Sequence, residues 1–252
     1  MSTVSLQMSE RYRQIIISEH CFYVEQTRKR LLSQFENISS EVERAIEMHY
    51  KKVSVFYNPD AHDVGDFYES AIDHGNEFGQ LLCDKHDDTR LGIIAGMYHQ
   101  WEKKLKEWLL QEMRHWSIGQ NVNNSIWKQD FSQIVCLLES FGFYPKQLPA
   151  FDLLNAMRLV VNVFKHGDGK SFDDLKESYP DFVPGLLKND GFGYLNPYLN
   201  YSNMQVTDNN LDSFSEAILE FWQEIPADLI ITEEIDAPTW FEKAYIKDSR
   251  EQ

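Results

Sequence analysis

Three residues near the middle of the chain, Arg158, Asn162 and His166, stand at i, i+4 and i+8, a spacing that stacks side chains along one side of a helix. An arginine offers a two-pronged fork for phosphate or carboxylate, and a histidine exchanges a proton near neutral pH. Together they can bind and cleave a phosphodiester without a metal. The competing reading is structural. Basic groups near a helix C-terminus interact well with its dipole, and an asparagine can satisfy neighbouring backbone.

Placed on a helical wheel, residues 153–166 give an apolar face of Leu153, Leu154, Met157, Val160, Val161 and Phe164. Asn155, Arg158, Asn162, Lys165 and His166 fall in a stripe about 100° wide. Leu159 and Val163 lie beyond that stripe, so the sequence predicts a polar groove bordered by apolar surface on both flanks. Lys165, and Lys170 just past the Gly167-Asp168-Gly169 turn, are the binding candidates beside it. His99 and Glu102, one turn apart on the flank of another helix, are expected to line the same groove as supporting partners; a histidine between Tyr98 and Trp101 also fits a core role.

No metal or cofactor is expected. Cys83-x-x-His86 has no second ligand pair, and His62-Asp63 reads as a solvated loop. Phosphate-binding loops, dinucleotide fingerprints, nucleophile elbows and zinc-protease patterns do not occur in the sequence.

The run from Leu153 to Ser171, with Leu175 and Pro180-Asp181-Phe182 after it, resembles a group of bacterial all-helical proteins carrying an Asn-x-x-Lys-His-Gly signature. Tyr98-His99-Gln100-Trp101-Glu102 is similar to a second segment of theirs. More distantly, Asn162-x-x-x-His166 resembles the end of the HEPN ribonuclease motif, an arginine followed by four to six residues, the first of them polar, and then a histidine. That likeness implies a helix paired across a homodimer, with Arg158 and His166 cutting RNA by metal-independent attack of the 2′-hydroxyl. The arginine position of the motif is Val161 here, and the nearest arginine, Arg158, lies three residues earlier.

The elements needed to hold this helix are themselves helical. Amphipathic spacing predicts helices over about 9–35, 39–56, 64–83, 87–116, 126–141, 151–166 and 211–225, with a short one after Ser171. Asn121–Asn124 reads as a polar loop and 189–210 as a long irregular one, with at most a minor strand or hairpin near 204–207. The fold class is all-α, a multi-helix bundle of about eight helices in one domain over 1–252. Residues 232–252 read as an acidic extension docked through Trp240, Phe241 and Tyr245.

Charge and composition narrow the partners. The net charge of −16 opposes general charge-driven binding to nucleic acid or anionic membrane. It is uneven: 208–252 holds 12 acidic and 3 basic residues, whereas 101–170 holds 9 basic and 7 acidic. A local basic site therefore fits the middle of the chain, and a basic protein partner fits its end. Cys21, Cys83 and Cys136 are odd in number and far apart, which suits free thiols in a reducing compartment and small core positions. No apolar run approaches a membrane span or leader, so a cytoplasmic address is expected. Two function classes follow, a HEPN-like protein that cleaves or binds RNA in stress response, toxin action or phage defence, and a non-catalytic helical interaction protein.

Overall fold

The computed structural model describes residues 4–116, 119–184, 199–231 and 235–251. Its helices are α1 (Glu10–Arg30), α2 (Ile38–Ser54), α3 (Val64–Met113), α4 (Gln120–Lys128), α5 (Phe131–Ser140), α6 (Phe151–His166), α7 (Lys170–Ser178), α8 (Asp208–Glu224) and α9 (Thr239–Glu251). The fold is all-α with one small antiparallel sheet, in which β1 (Val4–Gln7) pairs with β2 (Asp228–Ile231). The minor β element thus lies at 4–7 and 228–231; residues 204–207 carry no strand. There Gln205 N–H donates to the Phe182 carbonyl at 2.8 Å.

The chain forms two compact units, Glu25–Ile93 and Met1–Val24 with Ile94–Gln252. In the smaller unit α2 packs against the first half of α3 where α3 presents glycines. A Cβ at Gly75 would stand against Ile46, and one at Gly79 against Val42, so close approach depends on their absence. No residue of α2 is fully buried, and this thin layer leaves Met48, Val55, Phe56, Tyr68 and Leu81 exposed.

The larger unit holds the extensive core. Met97, Trp101, Leu105 and Trp108 of α3 are buried, as are Ile134 and Leu138 of α5 and Phe214, Ile218 and Phe221 of α8. The Trp101 ring lies 4.9 Å from Phe131 and 5.1 Å from Phe221, centroid to centroid, in tilted and edge-on arrangements that suit aromatic quadrupoles.

Distant residues close several helix ends in this unit. Arg13 of α1 donates to the carbonyls of Trp222, Gln223 and Ile225, the orphan acceptors at the end of α8. Asp248 of α9 accepts from the Asn121 N–H at 2.9 Å, the Val122 N–H at 2.8 Å and Asn121 Nδ2 at 2.6 Å, capping the start of α4. Gln7 is fixed at both backbone groups, its N–H to Glu112 Oε2 and its carbonyl to Trp108 Nε1.

These contacts explain where the sequence expectations differ from the fold. Asn121–Asn124 is helical because a carboxylate 127 positions away supplies its cap. The predicted breaks around Asp87 vanish into the 50-residue α3. There Thr89 Oγ1 donates to the Lys85 carbonyl and Asp87 pairs with Arg90, so the apparent start signal is satisfied within the helix. Residues 126–141 are split at Asp130, whose side chain accepts from Gln133 N–H and opens α5. α7 is opened by Gly169 rather than by a Ser171 cap, and α8 by Thr207 in a reciprocal box with Asn210. The three cysteines are free, but Cys21 and Cys83 are exposed rather than core. Residues 189–198 of the predicted long loop lie outside the described residues.

Candidate functional site on α6

α6 is held on most of its circumference. Leu154, Ala156, Met157, Leu159, Val160, Val161 and Val163 are buried, an arc of about 220° at 100° per residue. Leu159 and Val163 therefore belong to the packed face. Leu153 and Phe164, assigned to that face from sequence, are each 39% exposed because they fall in the first and last turns, beyond the neighbours that cover the middle.

The helix ends at Gly167, whose N–H reaches the Val163 carbonyl at 2.8 Å with φ 72°, a conformation that favours glycine. Asp168 then accepts the Tyr201 N–H at 2.7 Å, pinning the turn between α6 and α7.

The polar stripe lies outside the buried arc of α6, and its exposure is graded along its length. Asn155, Arg158 and Asn162 are half-buried, whereas Lys165 and His166 are exposed. Arg158 donates from Nε at 3.1 Å and Nη2 at 2.8 Å to Asn155 Oδ1, one turn towards the helix start. Asn155 Nδ2 in turn donates to the Tyr179 hydroxyl at 3.0 Å, just past the end of α7. The Asn162 side chain makes no hydrogen bond among the described residues.

His166 stands eight residues on, about 12 Å along the axis from Arg158. The guanidinium is drawn towards Asn155, away from the His166 end of the stripe. The structure joins Asn155, Arg158 and Tyr179 and leaves His166 at the opposite end of the stripe, beside Lys165 and the exposed Lys170 at the start of α7.

Tyr98 of α3 lies in the same electrostatic neighbourhood. Burial pushes its hydroxyl pKa well up, Glu102 and Asp130 add to the rise, and Arg158 opposes it, so the phenol stays protonated at neutral pH. Glu102 itself is committed elsewhere. Its Oε1 accepts from Lys106 Nζ at 3.1 Å, and the buried Lys106 also donates to the Gln129 carbonyl at 2.6 Å, tying α3 to the connection before α5. His99 is exposed, with its ring edge-on to Tyr98 at 5.5 Å. Among the described residues no three His, Cys, Asp or Glu side chains are grouped to hold a metal ion.

The stripe therefore offers two separate capacities. Arg158 uses two of its five N–H donors on Asn155, and among the described residues nothing takes the other three, which suit an oxyanion. His166 presents its imidazole to solvent. The Asn155-x-x-Arg158 pair was open to sequence reading as an i, i+3 contact; Tyr179, 24 residues from Asn155, gave no signal beyond ending a helix. No known protein family, curated protein or solved structure matches this chain.

Proposed function

We propose that this chain is a HEPN-like protein that acts on RNA in a bacterial cytoplasm, in stress response, toxin action or phage defence, and that it does so as a homodimer. The supporting observation is that Arg158 and Asn162 are half-buried and His166 exposed on the side of α6 away from its buried arc, so the stripe is not sealed in the core. Arg158 holds an RNA phosphate with its remaining donors, and His166 takes the proton of the attacking 2′-hydroxyl. Because about 12 Å separates the two along one helix, the working pair is Arg158 of one copy and His166 of the other. That no described helix is long and apolar enough to cross a membrane is compatible with this reading.

The test is cleavage of structured and single-stranded RNA in the presence of a chelator. His166→Ala is expected to lower the rate by about a hundredfold or more and to leave the melting temperature unchanged. Mixing inactive Arg158→Gln and His166→Ala chains should restore cleavage, since a mixed dimer contains one intact pair. An inert wild type whose His166→Ala variant loses about 1–3 kcal/mol of stability would assign the histidine a structural role instead.

A second reading, a non-catalytic interaction protein, draws on a different observation. The smaller unit exposes Met48, Val55, Phe56, Tyr68 and Leu81, more apolar surface than a solvated hairpin needs. It predicts that Phe56→Ser abolishes partner capture while RNA chemistry is absent from the wild type.

A further inference from the structure

The contact between Arg158 and Asn155 has a direction that one helix alone does not impose. An asparagine amide can turn either its oxygen or its NH2 towards a neighbour, and only the oxygen can accept from a guanidinium. Here the NH2 is already spent on the Tyr179 hydroxyl at 3.0 Å, which leaves Oδ1 facing Arg158 at 2.8 and 3.1 Å. Tyr179 is itself fixed. Its N–H closes on the Leu175 carbonyl at 2.8 Å, and Pro180 follows it directly.

We infer that Asn155 and Tyr179 are positioning residues that set the Arg158 guanidinium to receive a phosphate oxygen of an RNA backbone. The inference rests on the RNA reading above and adds a mechanism to it. A free arginine on a helix surface samples many rotamers and must be ordered when a ligand binds. In this chain the ordering is done beforehand by a relay of two hydrogen-bonding side chains. The Nε edge of Arg158 faces Asn155, and Nη1, with both of its N–H groups, is left for the oxyanion. Neither Asn155 nor Tyr179 touches the ligand, and their effect passes through Arg158.

The experiment combines binding of a single-stranded oligoribonucleotide, read by fluorescence anisotropy across salt concentrations, with the Arg158 Nε–H resonance in 1H–15N spectra of the full chain. Arg158→Gln is expected to weaken binding about tenfold and to reduce the salt slope by about one. Tyr179→Phe, which removes a single hydroxyl, and Asn155→Ala should each raise the Kd about three- to tenfold. Both should broaden or shift the Arg158 Nε–H signal and melt close to the wild type. If Asn155→Ala lowers the melting temperature, Tyr179→Phe alone decides.

Wild-type affinity and an unmoved Nε–H signal in Tyr179→Phe, with Arg158→Gln still defective, would overturn the positioning role and leave the RNA reading standing. A Tyr179→Phe defect alongside a fully competent Arg158→Gln would equally overturn it, because the effect would not pass through the arginine. A wild type that binds no RNA at all would remove both.

Discussion

Replacing Asp248 by alanine is expected to unfold the α4 end of the larger unit, although Asp248 lies 127 positions from the groups it holds. Three hydrogen bonds disappear, two of them from backbone N–H groups in the first turn of α4. Loss of a helix cap costs about 1–2 kcal/mol. Stranding a second N–H in a half-buried setting adds about 1 kcal/mol, so Asp248→Ala should lose about 2–3 kcal/mol. For a domain of this size the melting temperature would fall by roughly 5–10 °C. Asp248→Asn keeps Oδ1 for Asn121 but turns an NH2 towards the Val122 N–H, and should lose about half as much. Burial raises the Asp248 pKa, but the hydrogen bonds from Val122 and Asn121 outweigh it and hold the carboxyl below its ordinary value. With the folded pKa depressed, the stabilisation is present above the unfolded carboxyl pKa and is lost as pH falls through the folded one. The gap between wild type and Asp248→Asn should accordingly narrow in strong acid. Thermal denaturation by circular dichroism between pH 2 and 7 measures it. An alanine variant within about 0.5 kcal/mol of wild type at pH 7, or a gap that stays constant into strong acid, would refute the distant cap.

His20 supplies a second pH effect. Burial lowers its pKa to about 4 against a bond to Ser215 Oγ at 2.8 Å, so the folded chain holds it neutral. Stability from this residue is complete above about pH 6.5 and declines as pH falls from there towards 4, by roughly 3 kcal/mol in all; chemical denaturation of His20→Gln should show that decline removed. Gly119→Ala should destabilise α4, because a Cβ there collides with the Asp248 carboxylate that three hydrogen bonds hold in place; unchanged hydrogen exchange across 120–128 would contradict this. Gly75→Ala, whose Cβ meets Ile46, should cost about 1–3 kcal/mol and appear first as faster exchange in α2.

The helical fold was readable because periodicity is a local property, and the strong patterns of 91–113, 151–166 and 211–225 coincide with well-buried helices. What escaped was whatever depends on a partner far along the chain. Asn121 looked like loop because its cap is Asp248, and the two strands were invisible because β1 and β2 are joined across 224 positions. The Asp87-Asp88-Thr89 run misled for the opposite reason. Its side chains find partners within their own helix, so a start signal became part of a continuous α3. At the site, the wheel placed the stripe correctly on one side of α6, but not the width of the packed arc, which depends on what covers Leu159 and Val163.

Sequence spacing also treated Arg158 and His166 as one constellation, and the side-chain directions separate them. Helical side chains lean towards the N-terminus, and Arg158 follows that lean onto Asn155 while His166 sits in the final turn. Eight residues of rise, about 12 Å, exceed what one phosphate can bridge while hydrogen-bonded to both groups. On the RNA reading proposed above, the phosphate-holding and proton-accepting groups of a single copy stand at opposite ends of the stripe. The proposal therefore calls on two antiparallel copies of α6, with the arginine end of each beside the histidine end of the other. It predicts that cleavage is lost on dilution below the dimer dissociation constant, whereas phosphate binding at Arg158, measured in the same dilution series, is retained; cleavage that survives dilution would refute the two-copy arrangement.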